Sequence, residues 1–146
     1  MSTHPPEPFA PRLQSQTDVE LMWRTLMTPL GWRSRGLWFV MVSPDDRPVP
    51  QVCEIADLPD EIGPDGHATA ADLWRHLLAD VIPGGRIALL LTRPGGGGPS
   101  PADRAIAEGT YTACRAAGVP LEVMHLATGE EIFALPADEV LSRHAS

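Results

Sequence analysis

Apolar and polar positions along this chain fall into two periods, and the alternation between them predicts the elements. Val19, Met22, Trp23 and Leu26 recur at i, i+3, i+4 and i+7, one face of an amphipathic helix. Thr17-Asp18-Val19-Glu20 reads as its capping box, and Pro29 ends it near Thr28. Leu37–Ser43 is a continuous apolar run suited to a central strand. Ser43-Pro44-Asp45-Asp46-Arg47 is turn chemistry, and Val49–Ile55 returns as the second arm of a hairpin. Pro48 and Pro50 cannot donate to a ladder, which places that arm at an edge or bulge.

Residues 57–67 read as a polar loop. Thr69 then caps a helix running to about Asp80, with Leu73, Trp74, Leu77 and Val81 on its buried stripe. His67 and His76 flank or sit in it without metal-ligand spacing, as solvated or merely packed residues. Arg86–Thr92 is a buried strand. It opens into Gly95–Gly98, and Ser100-Pro101-Ala102-Asp103 starts a further helix, with Ser at the N-cap and Pro at the first helical position. That helix reaches about Ala117, with Gly118 as a left-handed cap, and places Ala102, Ala105, Ile106, Gly109 and Ala113 inward. Pro120–Leu126 and Ile132–Leu135 read as strands around the Thr128-Gly129 turn, and Asp138–Arg143 as a last helical turn or two. The order α, β-hairpin, α, β, α, β, β predicts a single layered α/β domain, a central mixed sheet with helices packed on it.

Composition narrows the reading. The 146 residues suit one domain over residues 17–146, preceded by a Pro-rich, disordered arm over residues 1–16. Net charge is −8 and all 11 basic residues are Arg, so no basic stripe is available for nucleic acid. Cys53 and Cys114 are far apart and read as reduced thiols. No apolar run approaches the roughly 20 residues of a membrane span, and no signal peptide is evident, so the expectation is a cytoplasmic protein.

The element order, together with Thr92-Arg93-Pro94, the four glycines, Ser100-x-x-Asp103, Gly118-Val119, His125 and Gly129, resembles the JAB/MPN metalloprotease-like domain in its RadC branch. The resemblance spans about Leu37 to Gly129. It is similar also to short actinobacterial proteins that carry this module alone. It implies a RadC-like JAB/MPN (cytidine-deaminase-like) architecture, in which two histidines and an aspartate hold zinc and an upstream glutamate acts on the metal-bound water. Glu54 lies near that glutamate's place and Asp103 at the aspartate's, but the two histidine positions read Leu91 and Arg93. A catalytic zinc needs three protein ligands and an open position, and this set offers one. No metal and no cofactor are therefore expected.

The degenerate cleft would comprise Glu54, Arg93, Ser100, Asp103 and His125. In one reading Arg93 takes the place of the cation and pairs with Asp103. In another, Asp103 merely caps its helix with Ser100 while Arg93 faces water. In a third, Arg93 and the N–H groups of Gly95, Gly96, Gly97 and Gly98 cradle a small anion at the helix start. A fourth is residual catalysis drawing on Cys53, Cys114, Ser100, His125 and Glu54, which no spacing ties into a triad. The expected role is a non-catalytic binding or scaffolding module with a protein partner. The prolines of residues 5–11 and the Trp-bearing first helix are its candidate contact features, and exposure of Trp32, in the linker after that helix, would favour an interaction surface. The alternative is a hydrolase of this fold using unusual metal ligands or no metal.

Overall fold

The computed structural model describes residues 12–142. The elements are α1 (Gln16–Met27), β1 (Gly36–Val42), β2 (Pro48–Ile55), α2 (Pro64–Val81), β3 (Arg86–Thr92), α3 (Pro101–Ala117), β4 (Met124–Ala127), β5 (Ile132–Leu135) and α4 (Ala137–Ser142). The strands form one mixed sheet in the order β2-β1-β3-β4-β5. β1 is antiparallel to both β2 and β3, β3 is parallel to β4, and β4 is antiparallel to β5. Four helices on a five-stranded mixed sheet make this an α/β domain.

The pleat divides the core in two. Leu37, Phe39, Ile87, Leu89, Leu91 and Leu126 face the layer that holds α2, α3 and α4. Val40, Val42, Ala88, Leu90 and Ala127 face α1, where Val19, Met22 and Trp23 close over them. Successive residues of β1 and β3 thus enter opposite cores, which is why both strands read as unbroken apolar runs. The hairpin is irregular between Val40 and Val42, the stretch opposite Pro48 and Pro50, as the prolines require.

Several boundaries depart from the sequence expectation. α1 is capped by Ser15, whose hydroxyl accepts from the Asp18 N–H, so Thr17 lies inside the helix. Leu13 is buried and its N–H donates to the Asp46 carbonyl, so the chain is tied down before residue 16. The rest of the predicted arm, with the prolines of residues 5–11, lies outside the described residues. α2 begins at Pro64 with Gly63 as its cap, and Thr69 sits within it, donating to Asp65 O. Its buried stripe is His67, Ala71, Trp74 and Leu78, whereas Leu73 and Val81 are exposed. α3 buries Ile106 as expected, together with Asp103, Ala107, Thr110, Tyr111 and Cys114, while Ala102, Gly109 and Ala113 are half-buried and Ala105 is exposed. Of the predicted strand from Pro120, only Met124–Ala127 is regular, and Leu121 makes a single bridge to Ile87.

Candidate functional site

α3 starts where β3 ends, and its first turn places Asp103. Ser100 caps the helix with its hydroxyl, accepting from the Asp103 N–H at 3.1 Å, and the Asp103 carboxylate accepts from the Ser100 N–H at 2.8 Å. Pro101 follows with its φ already helical, and Gly118 closes the helix at φ 74°. This reciprocal cap turns the Asp103 carboxylate inward, where the residue has no exposed surface.

A buried carboxylate needs compensating charge, and two arginines provide it. Arg93, one residue past β3, donates through Nε to Asp103 Oδ2 at 2.8 Å. Arg35, one residue before β1, donates through a terminal nitrogen to Oδ1 at 2.7 Å. The antiparallel register explains their convergence: Gly36 lies opposite Thr92, so the residues just outside each strand end meet over the α3 N-terminus. Both arginine side chains are largely enclosed, and the Arg35 Nε also reaches Asp60 Oδ1 at 3.2 Å. Burial alone would push the Asp103 carboxyl up. The Ser100 N–H and the two guanidiniums outweigh that and hold it below the ordinary carboxylate range.

The glycine loop is organised around Arg93. Its guanidinium donates to the carbonyls of Pro94, Gly96 and Gly98 at 3.0–3.3 Å, so the loop turns C=O groups, not N–H groups, toward the cation. The Gly97 N–H donates to the Glu130 carboxylate at 3.2 Å, and a Cβ on Gly96 would fall within that carboxylate. Gly95 and Gly97 have φ of 87° and 80°, which suits glycine at both places. The chain's own carboxylates, Asp103 and Glu130, thus occupy the positions where an external anion would have to sit.

The remaining candidates lie elsewhere. Glu54 is opposite Trp38 on β2, and its carboxylate is exposed on the α1 side of the sheet, near Gly36 and Thr92. His125 also faces the α1 side, on β4, three strands along the sheet from β2 and level with Leu90. It is fully buried, and neither ring nitrogen has a hydrogen-bond partner among the described residues. Burial pushes its pKa down, against smaller upward contributions from Glu20 and the Val123 backbone and a downward one from Arg24. Asp103, on the opposite side of the sheet, converges with neither. Cys53 and Cys114 are free thiols, and burial pushes Cys114 up to about 12, which removes it as a thiolate nucleophile near neutral pH.

Trp32 is half-buried. Its ring centroid lies 6.2 Å from that of Trp38, and its N–H donates to Thr128 O at 3.2 Å. His67 is buried against α3 and His76 is exposed at the helix surface. Among the described residues, no group of three or more His, Cys, Asp or Glu side chains is placed to hold a metal ion, and no helix is long and apolar enough to cross a membrane.

Sequence reasoning missed Arg35 and Asp60. Arg33 and Arg35 stand together in an irregular linker, and nothing local distinguishes the one that turns inward. Only the β1–β3 register, a long-range property, singles out Arg35. Leu91, at the other histidine position of the resemblance, is fully buried in the apolar layer beneath α2 and α3. Compared with known proteins, the chain matches no family model and no curated protein.

Proposed function

We propose that this chain is a non-catalytic binding or scaffolding module of RadC-like JAB/MPN architecture, acting in the cytoplasm on a protein partner. The observation that carries this reading is the saturation of Asp103: one guanidinium on each oxygen, with the Ser100 N–H added on Oδ2. In the resemblance that carboxylate is one of three zinc ligands, and Arg93 stands at another ligand position. A guanidinium bonded to the carboxylate puts fixed positive charge where a cation would bind, and the core residue Leu91 offers no donor. The residues present therefore do not fit a zinc ion, and no hydrolytic step follows from them. The separation of Glu54 and His125 from Asp103 supports the same reading, because acid-base catalysis needs its groups within hydrogen-bonding reach of one reacting centre.

Metal content tests the proposal. Protein purified from zinc-supplemented cells is expected to carry well under one zinc per chain. One zinc per chain, lost on Asp103→Ala, would contradict it.

A further inference from the structure

On the α1 face of the sheet, a groove of about 430 Å³ lies where the end of α1 meets β1 and β2. Leu26, Met27, Pro29 and Val52 form its apolar wall, and Trp32 and Trp38 its aromatic side. Its size falls within the range of small-molecule pockets, about 300–1,000 Å³. The two indole rings are tilted 53° to each other, with centroids 6.2 Å apart. Each ring is pinned by its own N–H: Trp32 donates to Thr128 O and Trp38 to the Thr92 hydroxyl, both at 3.2 Å. Both rings are only half-buried, and with their N–H groups spent they offer the groove π surface alone.

A carboxylate stands at the rim. Glu54 is the ladder partner of Trp38 and lies two residues beyond Val52 on β2, so all three share the α1 face. A Cβ on Gly36 would meet Glu54 Oε2 and the Thr92 hydroxyl at 3.1 Å each, which puts the carboxylate at the same corner of the sheet as the group that pins Trp38. Glu54 is exposed, and its carboxylate makes no hydrogen bond or ion pair among the described residues. The nearby arginines do not take up its charge. Arg24 is paired with Glu20 and Glu131, Arg35 with Asp103 on the opposite face, and the exposed Arg33 forms no ion pair with it.

We propose that this groove binds a small molecule bearing a quaternary ammonium head, held by the Trp32 and Trp38 rings and the Glu54 carboxylate, with an apolar body along the Leu26–Val52 wall. A cation over an indole face is attracted by the negative ring surface, and Trp is the best of the aromatic side chains for it. The free carboxylate adds Coulomb attraction, and a net charge of −8 favours the approach of cations. Methylation is required by the scarcity of acceptors. Thr128 O and the Thr92 hydroxyl are already taken by the two indoles, and the Thr28 hydroxyl donates to Arg24 O. A primary ammonium would bring three N–H donors to a site that offers one carboxylate, whereas a quaternary head has none to satisfy. An anion would meet Glu54. The apolar wall rewards hydrocarbon taken out of water.

The test is a titration of the ¹⁵N-labelled full chain with benzyltrimethylammonium, followed through the four indole N–H resonances. Those of Trp32 and Trp38 are expected to shift saturably, while those of the buried Trp23 and Trp74 stay in place. Benzylammonium and the neutral analogue 2,2-dimethyl-3-phenylpropan-1-ol are expected to bind at least about fivefold more weakly, the worth of one exposed cation–π contact. Trp32→Leu is expected to weaken the quaternary probe by a similar factor. Glu54→Gln is expected to weaken it about threefold and Glu54→Lys further. The Glu54 position is exposed, so these two variants keep the test decisive should Trp32→Leu not fold. The proposal is overturned if the Trp32 and Trp38 signals do not move, if the neutral analogue or benzylammonium binds as well as the quaternary probe, or if Glu54→Lys binds it as well as the parent. The site lies on the sheet face opposite Asp103 and excludes Arg35 and Arg93, so failure here leaves the zinc measurement unaffected, and the reverse.

Discussion

Asp103 is the residue at which an isolated loss should be most costly. Replacing it with Ala leaves two largely enclosed guanidiniums without their common anion, and it also removes half of the α3 capping box. Breaking a buried pair from one side costs about 3–5 kcal/mol, so Asp103→Ala should lower the urea-unfolding free energy by that order. A loss under about 1 kcal/mol would mean that the cluster is solvated and of surface-pair strength. The Ser100-x-x-Asp103 cap was legible from the sequence because its determinants lie within four residues of one another. The pairing of Asp103 with Arg93 was legible only as one of several readings, since the cap and the ion pair use the same carboxylate. The structure contains both, and they reinforce each other: the cap aims the carboxylate and the arginines permit its burial.

At the scale of elements, the α2–α3 contact depends on a helix-interior glycine. The His67 ring occupies the space where a Cβ on Gly109 would lie. Gly109→Ala gains helix propensity, about 1 kcal/mol, yet forces His67 and α2 outward. The expected net result is destabilisation by about 1–3 kcal/mol, read as a lower midpoint of thermal unfolding. A higher midpoint would show that the ring swings aside freely. The start of α2 was misread because Pro64-Asp65-Gly66 is equally good turn chemistry. Pro at the first helical position and Asp in the first turn are helix-start signals too, and tertiary packing of His67 against α3 decides between them.

The layer beneath α1 carries a different liability. His125 is buried with both nitrogens unpartnered, and its pKa lies below the ordinary value because burial disfavours the imidazolium. The unfolded chain therefore binds more protons than the folded one below about pH 6.5. This contribution to stability is complete above that pH and is lost as pH falls toward the lower folded value. His125→Leu should flatten part of that acid slope, with His67, also shifted down by burial, supplying the remainder. At pH 7 it should cost little, because it removes two unsatisfied polar atoms along with the ring. An unchanged slope in urea melts at pH 7, 6 and 5 would show that His125 is hydrated in solution.

For the whole molecule, the legible part was whatever local periodicity dictates. β3, β5 and α3 fall where their patterns put them, and the β1–β2 hairpin follows from its turn. What the sequence withheld was rotation and register. The buried stripe of α2 is turned away from Leu73 and Val81, which stay exposed, and toward Ala71 and Leu78. Arg35 joins the site only because β1 and β3 are antiparallel with Gly36 opposite Thr92. A pattern read along one segment cannot contain that information.

The central claim is that Asp103 is ionised at neutral pH and fully engaged by Arg35, Arg93 and the Ser100 N–H, which leaves it no capacity for a metal. The carboxyl ¹³C resonance of Asp103, followed through an acid titration with and without excess zinc, measures this directly. The account predicts a transition below the ordinary carboxylate value of about 3.9 and no displacement by zinc at neutral pH. A transition at or above that value, or a zinc-dependent shift of the Asp103 signal, would contradict it.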